Sequence, residues 1–337
     1  MTTRHDGGPG VRIDVTGLTK RFGSVRAVED LSFTVEPGVV TGFAGPNGAG
    51  KTTAMRMILG LVAPTSGTAT IGGKRYAELR RPSQTVGAVL DASAFHPDHT
   101  ARDHLRIYRT MGRHPESRVD ELLDRMGLAH AADRRTRTFS TGMRQRLSLA
   151  TALLGDPRVL LLDEPSNGLD PEGIAWLRRF LRGLADEGRT VLVSSHVLSE
   201  MQQVVDDIVM ISKGRLVAAG PLREMERDLP ATVLVRSPDA AELRAALLSA
   251  GGGRTRVETV SDDGLRVYGM RDADIADLAG SKGLRVYGLT AEEAGLERLF
   301  FRLTGDGDPA PRTALHAHGP PPAAVPPQAT TPEGNRR

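Results

Sequence analysis

Short runs of alternating apolar and polar residues open the chain, and a more continuous apolar run follows them. Residues 11–15 and 31–35 alternate in this way, which predicts antiparallel strands with one buried face. Residues 39–44 form a compact apolar run, which is typical of a strand buried on both faces. Apolar residues at helical spacing over 52–61 then predict a helix shortly after that strand.

A mostly helical stretch with Arg-rich linkers interrupts the strands between about residues 92 and 156. Strand patterns return at 159–162 and 190–194, and two apolar runs on either side of Lys213-Gly214 predict a hairpin. Strands that alternate with helices favour a largely parallel α/β sheet with antiparallel strands at one side.

After Pro230 the pattern changes to a smaller unit of strands and helices. The predicted elements are, in order, strand 231–236, helix 239–250, strand 254–260, strand 264–270, helix 272–280 and strand 283–289. This βαββαβ order is that of the ferredoxin-like split βαβ arrangement. The runs GLRVYGM (264–270) and GLRVYGL (283–289) are near-duplicates, which indicates either equivalent strands in one sheet or a chance similarity.

A closing helix is predicted over 291–305, with Leu296, Leu299, Phe300 and Leu303 on one face. Beyond it the chain is rich in Pro and poor in large apolar residues, which predicts disorder. These changes predict a first domain over 11–228 with a helical subdomain at about 92–156, a second domain over 231–304 and a disordered tail over 305–337.

Composition narrows the classes of protein. With 337 residues, 39% hydrophobic and 25% charged, the chain has the size and composition of about two globular domains. We expect no membrane span and no secretory signal, because no apolar run approaches the ~18–20 residues of a spanning helix and the first residues lack an apolar segment. The absence of cysteine excludes disulfides, thiolate metal sites and cysteine catalysis. A cytoplasmic protein is therefore expected.

The charged residues argue against a nucleic-acid partner. The chain has 44 Lys and Arg against 41 Asp and Glu, a net charge of +3. A nucleic-acid-binding surface is usually a clustered basic stripe, whereas these residues are spread along the chain. We expect a mixed, solvated surface instead.

Residues 45–52, Gly-Pro-Asn-Gly-Ala-Gly-Lys-Thr, match the pattern G-x-x-x-x-G-K-[ST] at every fixed position. Glycines let successive N–H groups point at phosphate oxygens, and the following helix adds its positive dipole end. Lys51 places a cation on the β- and γ-phosphates of a nucleotide, and the Thr52 hydroxyl is the expected Mg²⁺ ligand. The alternative is a Gly-rich turn that matches by accident, which the position between a strand and a helix disfavours.

The apolar run 159–162 ends in two carboxylates, Asp163 and Glu164. We expect Asp163 to hold Mg²⁺ through water and Glu164 to accept a proton from the attacking water. The alternative is a loop that happens to be acidic, but adjacent carboxylates at a buried strand end are costly without a nearby cation.

Further motifs point to one family of phosphate-binding proteins. Residues 139–146, Phe-Ser-Thr-Gly-Met-Arg-Gln-Arg, resemble the signature motif of ATP-binding cassette (ABC) proteins. The segment 165–171 resembles their D-loop, and Ser194-Ser195-His196 resembles their switch histidine. Phe22 stands where the family keeps an aromatic ring that stacks on adenine. The resemblance covers about residues 11–228.

The resemblance implies a P-loop NTPase cassette, α/β with a mixed sheet, antiparallel strands and a helical subdomain. The pattern after Pro230 adds the small ferredoxin-like α+β domain to this fold. It implies ATP and Mg²⁺ as cofactors, and two chains that meet head to tail. Ser140, at the N-terminus of a helix, would then close on the ATP held by the Lys51 of the other chain. The implied catalytic residues are Glu164, His196 and Lys51, the metal ligands are Thr52, Asp163 and Asp91, and the nucleotide contacts are Phe22, Gly45, Pro46, Asn47, Gly48, Ala49, Gly50, Lys51, Thr52, Thr53, Ser140, Gly142 and Asp170.

Two places depart from the family pattern. Asp91 stands where the family carries the Gln of its Q-loop, which adds negative charge beside the phosphates. In the signature, Thr141 replaces Gly and Met143 replaces Gln. Nearby, His96-Pro-Asp-His99 with Asp103 and His104 indicates either a surface loop that touches the membrane partner or, as the weaker alternative, a metal site.

The helical insert, the single cassette and the C-terminal helix together resemble the ATPase subunits of exporters of the daunorubicin- and bacitracin-resistance type. This resemblance implies a separate membrane permease, a homodimer or paired nucleotide-binding domain, and a place on the inner face of the cell membrane. The alternatives are a soluble cassette ATPase that acts on ribosomes or DNA, and a scaffold that binds nucleotide without turnover. The intact set Lys51, Asp163, Glu164 and His196 disfavours the scaffold.

Overall fold

The structure, a computed structural model, describes residues 10–90, 95–227, 232–253, 255–292 and 296–304. The strands are β1 (Ile13–Phe22), β2 (Val25–Val35), β3 (Val40–Ala44), β4 (Ser66–Ile71), β5 (Val86–Val89), β6 (Val159–Leu162), β7 (Thr190–Ser195), β8 (Asp207–Ser212), β9 (Arg215–Pro221), β10 (Thr232–Arg236), β11 (Arg256–Ser261), β12 (Gly264–Tyr268) and β13 (Gly288–Glu292). The helices are α1 (Lys51–Ile58), α2 (Pro82–Thr85), α3 (Ala101–Gly112), α4 (Ser117–Arg125), α5 (Thr141–Ala152), α6 (Pro171–Asp186), α7 (Leu198–Gln202), α8 (Leu222–Arg227), α9 (Ala240–Ala250), α10 (Asp272–Ser281) and α11 (Leu296–Thr304).

The central sheet has the strand order β5-β6-β7-β3-β8-β9. Its strands are parallel except for β9, which pairs antiparallel with β8 at one edge. Every residue of β3, β6 and β7 is buried, because elements cover both faces of the sheet. The carboxyl ends of these three neighbouring strands lie together, and this edge carries the candidate catalytic residues. The α/β fold with a mixed sheet is confirmed.

A second, antiparallel sheet of order β2-β1-β4 covers one face of the central sheet. Phe33 of β2 packs on Phe43 of β3 with 5.3 Å between the ring centroids. Sequence analysis did not predict β4, because its pattern is exposed and polar apart from the buried Ile71 at its end. Its pairing with β1, rather than its own apolar residues, makes it a strand.

The other face of the central sheet packs against helices. Leu105 of α3, Leu122 of α4 and Leu147 of α5 are fully buried in the same cluster as Leu162 of β6. These three helices fall within the stretch of about 92–156 that was predicted to be mostly helical.

The C-terminal elements follow the predicted order β-α-β-β-α-β and form an antiparallel sheet of order β11-β12-β10-β13. Helices α9 and α10 bury Leu243 and Ile275 against Val235 and Val267 of this sheet. The strands β10 and β11 of the first βαβ unit are therefore separated by β12, and the strands β12 and β13 of the second unit are separated by β10.

The predicted bounds of the last strand, 283–289, are wrong. Residues 284–287 lie outside the strands, and β13 begins at Gly288. Side-chain bonds attach this segment to the residues just after β10, and the Tyr287 N–H donates to the Arg236 carbonyl oxygen of β10 at 2.7 Å. The carboxylate of Asp239 accepts hydrogen bonds from the backbone N–H and the guanidinium of Arg285 at 2.7–3.1 Å, and Ser237 Oγ donates to the Arg285 carbonyl oxygen at 2.7 Å. The near-duplicate runs therefore do not form equivalent strands.

The closing helix is shorter than predicted, since α11 begins at Leu296 and residues up to Glu292 belong to β13. Leu296 and Leu299 are buried among α7, α8 and β9, and Phe300 packs against the same cluster. Leu303, about two turns after Leu296 on the same face of the helix, is 47% exposed, so the cassette does not cover this end of the face. The Leu296 N–H donates to Gln202 Oε1 at 3.3 Å, which places α11 on the helix that follows the switch histidine.

In the part of the chain that the structure describes, no helix combines the length and the apolar character that a membrane span requires. The predicted Pro-rich tail over 305–337 lies outside the described residues. The domain boundaries given above stay predictions.

Candidate active site

The Gly-rich loop after β3 turns sharply into α1. Gly50, the residue before the helix, has φ +106°, a conformation that side chains with a Cβ rarely adopt. A Cβ at this position would also lie 2.5 Å from the Ala27 carbonyl oxygen of β2. Only glycine fits, and the N–H groups at the start of α1 remain directed at the loop, where they favour an anion.

Lys51 is buried inside this loop, with a side chain that is 5% exposed. Its Nζ donates to the carbonyl oxygens of Gly45 at 2.7 Å and Pro46 at 3.3 Å, and lies 3.6 Å from Glu164 Oε1. Burial lowers the pKa of Lys51, and the nearby carboxylates of Glu164 and Asp163 only partly oppose that effect. A bound phosphate would add further negative charge beside this buried ammonium.

A hydrogen bond between Thr52 and Asp163 joins the Gly-rich loop to the end of β6. Thr52 Oγ1 donates to Asp163 Oδ2 at 2.6 Å, although the residues are 111 positions apart. Ser194 Oγ donates to the other carboxylate oxygen, Oδ1, so Asp163 is held from both sides. A hydroxyl beside a carboxylate is an oxygen donor set that suits Mg²⁺. The residues therefore fit the predicted metal ion.

Glu164 lies at the carboxyl end of β6 in a strained backbone conformation, with φ +48°. Such a conformation costs about 1–3 kcal/mol and persists only where the surroundings impose it. Here Ser194 Oγ accepts from the Glu164 N–H at 2.9 Å, and Asn167 Nδ2 donates to Glu164 Oε2 at 2.6 Å. His196 Nδ1 lies 2.9 Å from the same oxygen. These contacts fix the orientation of the Glu164 carboxylate.

The surroundings of Glu164 also keep it ionised. Burial raises its pKa, but the hydrogen bond from Asn167 and the charges of His196 and Lys51 outweigh that effect, so the pKa lies below the ordinary value. A carboxylate that is ionised at neutral pH and directed by two neighbours can accept a proton from a bound water.

The signature and D-loop segments lie side by side. Ser140 caps α5, as predicted, and its Oγ accepts from the Met143 N–H at 3.2 Å. Asp170 caps α6 in the same way, accepting from the Gly173 N–H at 2.7 Å. Two side-chain-capped helix starts therefore face the same region of the surface.

Phe22 ends β1 and exposes 51% of its surface, with Lys20 Nζ 4.9 Å from the ring centroid. The neighbouring strand β2 runs past the Gly-rich loop at Ala27. An exposed aromatic face on this hairpin is suited to stacking against a flat ring.

The predicted ligand Asp91 lies outside the described residues. Of the residues that follow, His96 and His99 stack with 4.3 Å between ring centroids, whereas His104 is buried and bonds to Thr151. Among the described residues, no three His, Asp or Glu side chains come together as a metal site.

Sequence reasoning did not assign the contacts of Asn167 and Ser194. Asn167 was noted only as part of the D-loop resemblance, and Ser194 only as the residue before Ser195-His196. The spacing of Asn167 three residues after Glu164, across a turn with Pro165, is the signal that could have suggested a hydrogen bond between them.

Comparisons with known proteins identify the family. The sequence profile of the ABC transporter family matches residues 28–167, and a profile described as a domain of unknown function matches residues 231–297. The bacitracin transport ATP-binding protein BcrA of Bacillus licheniformis is 36% identical over 301 residues, which cover 88% of this chain and 98% of that protein. The Nod factor export ATP-binding protein I of Burkholderia lata is 37% identical over 305 residues, 88% of this chain and 98% of that protein.

A solved structure described as the ATP-binding subunit of an ABC transporter superimposes with a TM-score of 0.58 at 28% identity, over 64% of this chain and 92% of that one. The chain belongs to the ATP-binding proteins of the ABC transporter family. It is an ATPase of that family, and its resemblance to the exporter branch that includes the bacitracin proteins is confirmed.

Proposed function

We propose that two copies of this chain, or one copy and a related chain, hydrolyse ATP between them and drive export through a separate membrane permease. One observation carries the proposal: Lys51, Glu164 and His196 follow three neighbouring parallel strands, and where these strands end Glu164 lies 3.6 Å from Lys51 Nζ and 2.9 Å from His196 Nδ1. Asp163, the residue before Glu164, bonds to Thr52 at the same edge of the sheet. This is the arrangement that phosphoryl transfer to water requires.

The residues divide the reaction as follows. The Gly-rich loop and Lys51 bind the phosphates of ATP, and Phe22 stacks on the adenine. Thr52 and Asp163 hold Mg²⁺, which neutralises charge on the phosphate oxygens when it is bound. Glu164 takes a proton from water as the water oxygen bonds to the γ-phosphorus and the bond to the β-phosphate oxygen breaks. His196 holds Glu164 in place and contacts the γ-phosphate.

The second chain supplies the rest of the site. Ser140 presents a hydroxyl and the free N–H groups at the start of α5, which suit a phosphate that reaches them from outside the chain. We place this helix start on the ATP that Lys51 of the other chain binds, with Gly142 and Asp170 beside it. ATP then joins the two chains, and hydrolysis separates them.

The permease docks on the outer face of α3. Ile107, Tyr108 and Met111 are 41%, 42% and 74% exposed, which makes an apolar patch on a helix that is otherwise amphipathic. A shallow groove of about 570 Å³ is lined by Ile107 and Met111 together with His99, Asp103, Arg106 and Thr110. An exposed apolar patch rimmed by charges suits a cytoplasmic segment of a membrane protein. The chain would then work in the cytoplasm, bound to the inner face of the membrane.

The class of cargo follows only from the relatives. One is named for transport of bacitracin and another for export of Nod factor, which are different compounds. We therefore propose export of an antibiotic or another small amphipathic compound, and assign no particular cargo.

The test is reconstitution of the chain with the permease encoded beside it, in lipid vesicles. We expect the permease to bind the chain and raise its ATPase rate, and Ile107→Asp with Met111→Asp to abolish binding while free ATPase activity is kept. Val260→Asp, at a 52% exposed position in the C-terminal sheet, is the matched control. Stimulation by ribosomes or DNA, with no effect of any permease, would instead favour a soluble ATPase.

A further inference from the structure

Four half-buried side chains form a column between α4, α5 and α6, in the order arginine, tryptophan, phenylalanine, arginine. The guanidinium of Arg146 lies over the ring of Trp176 at 4.4 Å, and Trp176 stacks on Phe180 with centroids 5.2 Å apart and planes 9° from parallel. The guanidinium of Arg125 lies 5.8 Å from the Phe180 centroid. We call these residues the Arg–aromatic column.

Both ends of the column are fixed. Arg146 Nη1 donates to the Met126 carbonyl oxygen at 3.4 Å, just beyond the end of α4. Arg125 Nη2 forms an ion pair with Glu187 at 2.8 Å, just beyond the end of α6. A planar guanidinium held by a hydrogen bond on its edge can keep its face on an aromatic ring. The column therefore joins three helices at a defined distance.

The column contacts α5 and α6 at the same distance from their N-terminal caps. Arg146 lies six residues after Ser140 in α5, and Trp176 lies six residues after Asp170 in α6. At 1.5 Å per residue, each is about 9 Å from its cap. The contact is thus remote from the residues that reach the nucleotide.

A second contact joins the same helices at their starts. A Cβ placed on Gly142 would lie 3.6 Å from Leu169 Cδ2, which is ordinary van der Waals distance. A Cβ on Gly168 would lie 2.9 Å from Thr141 Cγ2, so the D-loop passes closely over the signature. One contact alone would leave the helices free to pivot, whereas two contacts fix their angle as well as their separation.

We propose that Arg146 and Trp176 are positioning residues that lock the signature helix to the D-loop helix. Ser140 and Asp170 then approach the ATP of the other chain as one rigid unit. In the proposed function neither Arg146 nor Trp176 contacts the nucleotide. The inference rests on the proposed function, because it assumes that Ser140 acts on a nucleotide held by another chain.

The test measures two affinities in a chain that carries Glu164→Gln to suppress hydrolysis. ATP binding to the single chain is followed with a fluorescent ATP analogue, and dimer formation in saturating ATP is followed by sedimentation. We expect Arg146→Met and Trp176→Leu to change ATP binding less than twofold and to weaken the dimer about tenfold, which is about 1.4 kcal/mol. A merely structural role would not separate these two affinities.

Two controls identify the contact. Arg179→Met removes an exposed arginine of α6 outside the column and should leave both affinities unchanged. Trp176 is the only tryptophan in the chain, so its emission reports the loss of the guanidinium in Arg146→Met and no change in Arg179→Met. Trp176→Phe, which keeps an aromatic face, should recover part of the lost dimer affinity.

The double variant Arg146→Met with Trp176→Leu decides whether the residues act through each other. We expect it to weaken the dimer no more than the worse single variant, because one contact is lost only once. Additive effects, or an unchanged dimer affinity in Arg146→Met, would overturn the inference. Ser140→Ala separates the two proposals. If this variant keeps the dimer affinity of the parent, the proposal that two chains share one ATP site is wrong. If it weakens the dimer while Arg146→Met does not, only the positioning role of Arg146 is wrong.

Discussion

His196 Nδ1 lies 2.9 Å from Glu164 Oε2, and the two residues follow the neighbouring parallel strands β6 and β7. The same carboxylate oxygen accepts from Asn167 of the D-loop. Glu164 is therefore directed by a residue from the switch strand and by one from the loop that leads to α6. A shift of either segment would move the carboxylate, which couples proton transfer to the position of the D-loop.

Glu164→Gln should bind ATP but hydrolyse it slowly. The amide has nearly the same shape but cannot accept the proton from water, and loss of a general base costs about 10²–10⁴ in rate. We expect the variant to accumulate as a dimer in ATP, as measured by light scattering after gel filtration. Glu172→Gln, at an exposed position in the first turn of α6, is the control. Normal turnover by Glu164→Gln would exclude the assigned base.

Thr52→Val should raise the Mg²⁺ concentration needed for half-maximal ATPase activity. The substitution keeps the branched shape of the side chain but removes the hydroxyl that bonds to Asp163 at 2.6 Å. We expect a shift of about tenfold, the lower end of what lost metal-site contacts cost. Thr259→Val, at an exposed position in β11, should leave the Mg²⁺ titration unchanged. An unshifted titration in Thr52→Val would remove Thr52 from the metal site.

His104 should make stability depend on pH. It is buried between the rings of Phe95 and Tyr108, and burial, helped slightly by the charge of His99, lowers its pKa to about 4. Thr151 Oγ1 donates to the Leu147 carbonyl oxygen, so it accepts from His104 Nε2–H at 3.1 Å, and the neutral ring fits. In the unfolded chain the His104 imidazole binds a proton near pH 6.5, whereas in the folded chain it stays neutral at that pH.

The free energy of unfolding therefore decreases as the pH drops from about 6.5 to about 4. We expect His104 to account for about 2–3 kcal/mol of this decrease. Urea unfolding at a series of pH values measures the effect. His104→Gln, which does not titrate and can still donate to Thr151, should lack this part of the pH dependence. Identical pH profiles for the two proteins would show that the folded chain accommodates a charged His104.

The docking of α11 should contribute measurably to stability. Leu296 is fully buried against the cassette, and truncation of a buried leucine to alanine costs about 2–5 kcal/mol. Leu303, about two turns further along the same face of the helix and 47% exposed, is the matched control, with an expected effect within about 0.5 kcal/mol. Equal costs for Leu296→Ala and Leu303→Ala in urea unfolding would mean that α11 does not pack as described.

The residues that sequence motifs predicted are those whose role depends on local backbone geometry. The turn at Gly50 and the cap at Ser140 follow from a few adjacent residues, so the motifs that contain them indicate both. Contacts between distant residues carry no such signal. The bond between Asp239 and Arg285 joins residues 46 positions apart, and β4 exists because β1 pairs with it.

The shared site is tested most directly by the ATPase rate of an equimolar mixture of Lys51→Ala and Ser140→Arg chains. Each variant alone should be inactive, since both of its sites lack one half. In the mixture, the Ser140→Arg chain supplies Lys51 and the Lys51→Ala chain supplies Ser140, which restores one complete site in each mixed pair. We predict recovery toward roughly a quarter of the native rate, because half of the pairs are mixed and each holds one complete site of two. A mixture that forms pairs yet stays as inactive as its components would contradict a site built from two chains.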